Sequence, residues 1–134
     1  VNVSNPVDAT APLRFNGAPS GVLPAGTTAT TLSLNTDENA ICKYSTSSGI
    51  GYSSMPNTFS TTGGTSHSQV ITGLVDGTSY NFYVKCQDLS GNANTDDFAV
   101  SFSVASDTTP PSVSITSPTT KATVSAAIKR SPVF

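Results

Sequence analysis

Gly73-Leu74-Val75-Asp76-Gly77-Thr78-Ser79-Tyr80-Asn81-Phe82-Tyr83-Val84-Lys85-Cys86 is the stretch that decides the fold of this chain. Thr78, Tyr80, Phe82, Val84 and Cys86 share one parity, and Asn81, Tyr83 and Lys85 take the other. Successive side chains of a strand point to opposite faces, so the stretch predicts a long strand with one apolar and one wetter face. Asp76-Gly77 supplies the turn before it, because both residues tolerate backbone conformations that others avoid. A Tyr shortly after such a turn, with a Leu six residues before it, has the layout of a tyrosine corner in a β-sandwich. Leu74, Gly77 and Tyr80 are the expected structural corner.

Working outward, leucines 32 and 34 alternate within a strand expected over 28–36, and Cys42 and Tyr44 share a face of another over 40–45. Leu13-Arg14-Phe15 reads as a first strand, broken by Asn16-Gly17 and the glycines and prolines after it. Residues 47–66 hold too many glycines, with Pro56, for a long element. They read as a loop crossing between sheets, with Tyr52, Met55 and Phe59 plugging one end of the core. Residues 67–72 form a short strand carrying Val70, with Ile71 on its other face. Asp88-Leu89-Ser90-Gly91-Asn92 reads as a hairpin loop, and Phe98, Val100, Phe102 and Val104 share the parity of a half-buried final strand. Strands at this spacing, with Gly/Pro/Asn turns and no helical period, predict an all-β, two-sheet antiparallel β-sandwich.

The 134 residues suit one domain of about 100 residues with extra segments. Ser and Thr make up roughly 30% of the chain, a composition at ease in strands and turns. The boundaries read as an extended lead-in (1–10), the sandwich (11–105), a stiff Pro-rich linker (106–111) and a strand-forming tail (112–134). All eight acids precede Pro111, against Arg14, Lys43 and Lys85, while the tail carries Lys121, Lys129 and Arg130. An acidic body with a basic tail lacks the clustered basic face of a nucleic-acid binder. No long apolar run predicts membrane insertion, and no signal peptide is present, so the chain reads as a mature form or piece of a secreted protein. Two cysteines, Cys42 and Cys86, fit one disulfide and an extracellular setting, secreted or at the cell surface.

Residues 73–86, together with Ile41-Cys42-Lys43-Tyr44-Ser45, Gly64-Thr65-Ser66-His67-Ser68 and Cys86-Gln87-Asp88-x-x-Gly91-Asn92, resemble the fibronectin type III-like domains of bacterial and archaeal extracellular proteins. The resemblance covers roughly 11–105. It implies an Ig-like sandwich in which Cys42 and Cys86 lie on neighbouring strands of one sheet, so that their disulfide is intra-sheet. It also implies a structural or adhesion module, of the kind found in multi-domain secreted enzymes, adhesins and filament proteins. The chain has no Trp, where a Trp on the second strand is frequent in that family, so Phe and Tyr must fill the core. Pro110-Pro111-Ser112-Val113-Ser114-Ile115-Thr116-Ser117-Pro118 resembles the opening strand of a following bacterial Ig-like repeat.

Few residues invite chemistry. His67 is the only histidine and has no evident partners for catalysis or zinc, so a strand-edge hydrogen-bonding role is expected. Asp88, Asn92, Asn94, Asp96 and Asp97 crowd one loop, but their spacing is not that of an EF-hand, and a polar hairpin explains them better than calcium. Tyr52, Phe59 and Tyr83 are the residues a sugar-stacking platform would use. No catalytic residue, metal ligand or cofactor follows from the sequence. The leading expectation is a non-catalytic spacer or adhesion module in a tandem array, with neighbouring β-sandwich domains or identical subunits as partners. The alternatives are a filament subunit whose tail, through Val113, Ile115 and Val124, adds to a neighbour's sheet, and a carbohydrate-binding accessory domain with polysaccharide as partner.

Overall fold

The computed structural model describes residues 8–108. Eight strands follow in chain order: β1 (Arg14–Ala18), β2 (Gly21–Leu23), β3 (Ala29–Thr36), β4 (Ala40–Ser45), β5 (Asn57–Thr58), β6 (Ser66–Thr72), β7 (Ser79–Asp88) and β8 (Phe98–Val104). They form a three-stranded sheet, β1-β3-β6, and a five-stranded sheet, β2-β8-β7-β4-β5. Every pairing is antiparallel except β2 with β8, which is parallel. The linker beyond residue 108, the tail with Val113, Ile115 and Val124, and the lead-in before residue 8 lie outside the described residues.

The parity of β7 builds the core. Phe82, Val84 and Cys86 point inward and are buried, as are Val100, Phe102 and Val104 of β8, Cys42 of β4, and Leu32 and Leu34 of β3. In place of a Trp, rings run in sequence through the interior. Phe59 meets Tyr44 edge-on at 5.2 Å, Tyr44 meets Phe82 at 5.9 Å, and Phe82 stacks on Phe102, itself stacked on Tyr80. Such offset and edge contacts add to the burial of the rings themselves. Cys42 and Cys86 stand directly opposite each other in the β4–β7 register and are joined by a disulfide, with Cα atoms 4.0 Å apart.

At the turn before β7, the Tyr80 hydroxyl accepts the Val75 N–H at 2.9 Å, and Leu74 is buried beneath it. Gly77 has φ +75°, and a Cβ there would lie 2.9 Å from the Ser106 Oγ. Its N–H donates to the Val104 carbonyl. A side chain at this position would be strained and would also crowd the strand leaving β8.

Several expectations need correction. The first strand begins at Arg14 and runs through Asn16-Gly17 to Ala18 instead of breaking there, and Leu13 and Phe15 are exposed. β2 falls in a stretch read as turns only; the chain leaves one sheet after Ala18 and joins the other by Gly21. Three residues between glycines and prolines carry no alternation long enough to announce a strand. In β6, Val70 is 57% exposed, and the inward positions belong to His67 and Ile71. Of the three expected plugs only Phe59 joins the core. Met55 is buried outside that cluster, and Tyr52 bonds to the Ile41 carbonyl on the outer face, in a short 3-10 turn, Tyr52–Ser54.

The four outermost strands present little free backbone. β1 is irregular between Phe15 and Ala18, with Asn16 at φ +56°, and β2 and β5 are three and two residues long. On β6, Ser68 is paired with Thr61, and the Gln69 side chain takes the Val70 carbonyl and the Ser60 N–H. Short, bulged and side-chain-capped edges resist pairing with another chain.

The disulfide joins two fully buried cysteines 44 residues apart in sequence. Replacing Cys42 and Cys86 by Ala together is expected to lower unfolding stability by about 2–4 kcal/mol, read from the guanidinium midpoint against the oxidised parent.

Candidate functional site

His67 points inward from β6, 1% exposed, between two threonines. The Thr36 hydroxyl donates to the Glu38 carbonyl at 2.7 Å, so its oxygen is left to accept from His67 Nε2 at 2.9 Å. Nδ1 is then the acceptor, and takes the Thr62 hydroxyl proton at 2.6 Å in preference to the Ala40 carbonyl, 3.3 Å from the same hydroxyl. This self-consistent network fits a neutral ring. Burial lowers the pKa of His67 below the ordinary imidazole value. Thr62 also accepts the Cys42 N–H, so the ring ties the loop before β6 to both sheets. Its bonding is to side chains in the interior, not to the strand's open edge.

A second buried polar group lies on the outer face of the five-stranded sheet. Lys85 donates to the Ile50 carbonyl at 2.7 Å and lies 3.5 Å from the Asp97 carboxylate, its side chain only 4% exposed. Asp97 also accepts the Gly49 N–H at 2.9 Å. The two groups hold the 47–54 loop against the sheet. Beside them an open depression of about 390 Å³ is lined by Tyr52, Lys85, Gln87 and Asn94, among others. Ser53 and Thr95 also line it, and neither hydroxyl has a histidine or carboxylate beside it in that lining.

The residues that crowd the 88–97 loop divide into separate tasks. Asp88 accepts the Ser90 and Asn92 N–H groups on one oxygen and the Asn92 amide on the other. Asn94 accepts the Cys86 N–H and donates to the Pro12 carbonyl, both at 2.8 Å. Asp96 pairs with Arg14 at 2.7 Å, and Arg14 also donates to the Val84 carbonyl and stacks over Phe98. These five residues therefore do not converge on one point.

A different trio does converge: Asp8, Glu38 and Asp88 place carboxylate oxygens within 4.8 Å of one another. Their separation in sequence hid the group, because only the folded loops bring them together. Burial raises the Glu38 pKa, and the neighbouring Asp8, Asp88 and Asp37 charges add to it. Burial also pushes Asp88 upward, but hydrogen bonds from Asn92, Asp8 and Ser90 outweigh it and the net direction is down. Hard oxygens of this kind suit calcium. Both Asp88 oxygens are already committed to loop donors, however, so an ion would compete with the hydrogen bonds that shape the turn.

Tyr52, Phe59 and Tyr83 do not share a surface. Phe59 is 2% exposed in the core, and the Lys43 ammonium sits 4.6 Å from the centre of the Tyr52 ring. A stacking platform made of these three is not assembled.

Two outcomes follow. Because folding lowers the His67 pKa, the unfolded chain binds the proton first as pH falls. This contribution to stability is present at neutral pH and is lost from about pH 6.5 downward. The urea midpoint of the parent should therefore fall between pH 7.5 and 5, and His67→Gln should flatten that slope. Lys85→Met removes a charged hydrogen bond and the partner of Asp97. It should cost about 1.5–3 kcal/mol and speed hydrogen exchange across residues 47–54.

Comparison with known proteins found no matching family model, no matching curated protein and no matching solved structure.

Proposed function

We propose that this chain is a non-catalytic structural spacer, one module in a tandem array of a secreted or surface protein. The carrying observation is where the chain meets the two ends of the sandwich. On the N-terminal side, the Asp8 carbonyl accepts from Asn92 and the Pro12 carbonyl from Asn94, at the end where β7 finishes. On the C-terminal side, Ala105 donates to the Leu23 carbonyl, and Val104 accepts from Gly77, at the end where β7 starts. The chain thus enters and leaves at opposite ends of a ten-residue strand, roughly 33 Å apart. That is the geometry of a bead threaded on a string.

Three further features support the reading. The polar side chains capable of chemistry (His67, Lys85, Asp88, Asp97) are each engaged in holding loops. The three-plus-five division of strands, with the Tyr80 corner and the intra-sheet disulfide, favours the fibronectin type III-like relationship over an Ig constant domain, whose sheets divide as ABED and CFG with a B–F bridge. The disulfide also suits an oxidising, extracellular setting.

A filament built by strand exchange is the second reading, with the 112–134 tail as donor. The blunted edges of this module make it a poor acceptor, which ranks the spacer first. A carbohydrate-binding role comes third, since the aromatic residues it needs are divided between the core and a lysine-capped ring.

Light scattering of the full 134-residue chain across a wide concentration range is the test between the first two. A constant monomer mass is expected; growth into concentration-dependent polymer would overturn the spacer reading in favour of strand exchange. Two chains joined in tandem should also lengthen the maximum dimension in small-angle scattering by about one strand length, roughly 33 Å, or more.

A further inference from the structure

We infer that this module is a shear-held extension element: the β2–β8 pair resists tension between its two ends, and Cys42–Cys86 limits how far it lengthens once that pair gives way. The inference rests on the spacer reading and specifies what such a spacer does under load.

The topology sets the direction of loading. β2 lies on the N-terminal side and β8 is the last described strand; they run parallel, pairing Gly21 with Phe102, Val22 with Ser103 and Leu23 with Val104. The Ala105 N–H to Leu23 carbonyl bond extends this ladder by one residue. Because the chain enters at one end of the sandwich and leaves at the other, tension first loads the short, irregular β1–β3 pairing and, once β1 yields, pulls β2 and β8 in opposite directions along their own axes. The ladder bonds lie across that axis, so they are strained together rather than peeled one by one. Leu23 also packs against the core, which ties the short strand down. Arg14 reinforces the same path, because its guanidinium bonds the Val84 and Asp96 carbonyls across to the other sheet.

The disulfide sets the second limit. β1, β2 and β3 precede Cys42, and β8 follows Cys86. Once the sandwich has opened, tension passes from Cys42 to Cys86 through the sulfurs and bypasses the residues between them. With a sequence separation of 44, about 150 Å of chain at about 3.4 Å per residue stays hidden. A dithiol releases it by exchange. One thiolate attacks a sulfur and expels a cysteine thiolate; the second thiol then closes on the first, leaving oxidised cyclic reductant and two cysteine thiols.

The test is single-molecule force spectroscopy on the full chain held at its two termini. Oxidised chains should rupture and stop short, and adding dithiothreitol under load should add a step of about 150 Å. In a strand, a residue's N–H and carbonyl face the same neighbour, so Leu23→Pro deletes a ladder donor, whereas Leu23→Ala loses core contact but keeps that donor. The rupture force should fall clearly for the proline variant, which loses a donor of this short ladder, and by less for the alanine variant. A third arm does not depend on the proline variant folding. With attachment at Asp8→Cys and at Leu89→Cys, position 8 lying beside Asn92 at the same end of the sandwich and position 89 exposed, the ladder is peeled rather than sheared and rupture should come at clearly lower force. Equal force in the two geometries, or no added length on reduction, overturns the inference. Neither result bears on the scattering test of the spacer reading, so the two can fail separately.

Discussion

β7 cannot slip. It is bonded on both sides, to β4 and to β8, and Tyr80, Phe82, Val84 and Cys86 along it are committed to the core. A shift of one residue would bring Tyr83 and Lys85 inward and send Phe82, Val84 and Cys86 to the outer face. The Cys42–Cys86 bridge fixes the register against β4 covalently, and the Tyr80 hydroxyl fixes the strand's start against Val75. With that strand set, β8 and β4 follow by pairing, and Leu32 and Leu34 of the facing sheet have only one surface to cover.

The chain carries few charges, yet several of its polar side chains are buried. His67, Asp88, Asn94, Thr36 and Lys85 are all largely withdrawn from water; Asp88 is matched to donors of its own turn, and the others to partners on a different segment. A buried polar group with its partners in place is close to neutral for stability, but costly if one partner is displaced. These side chains therefore specify where loops lie more than they strengthen the fold. Arg14 does similar work by reaching from the first strand to the β7–β8 connection.

What could be read from the residues divides along physical lines. The long alternating strands, 28–36, 40–45, 78–86 and 98–104, were legible because burial on one face leaves a period of two. The corner was legible because Asp76-Gly77 and Tyr80 are local in sequence. β2 was not, since three residues cannot display a period. Nor was the inward turn of His67, because Val70 and Ile71 put an apolar residue on each face of 67–72, and the partners, Thr36 and Thr62, come from elsewhere in the chain. The Asp8–Glu38–Asp88 group was hidden for the same reason. Contacts that depend on three distant segments leave no mark in any one of them.

The guarded outer strands have a consequence for a chain of such modules. Tethered neighbours meet at effective concentrations in the millimolar range, set by linker length rather than by dilution. Identical sequences held so close are prone to exchange strands while folding. The Thr61–Ser68 bridge, the Gln69 cap and the two very short strands leave a folding neighbour little exposed ladder to copy. Repetition of one sequence is then tolerable, because each copy has little backbone left over with which to recruit the next.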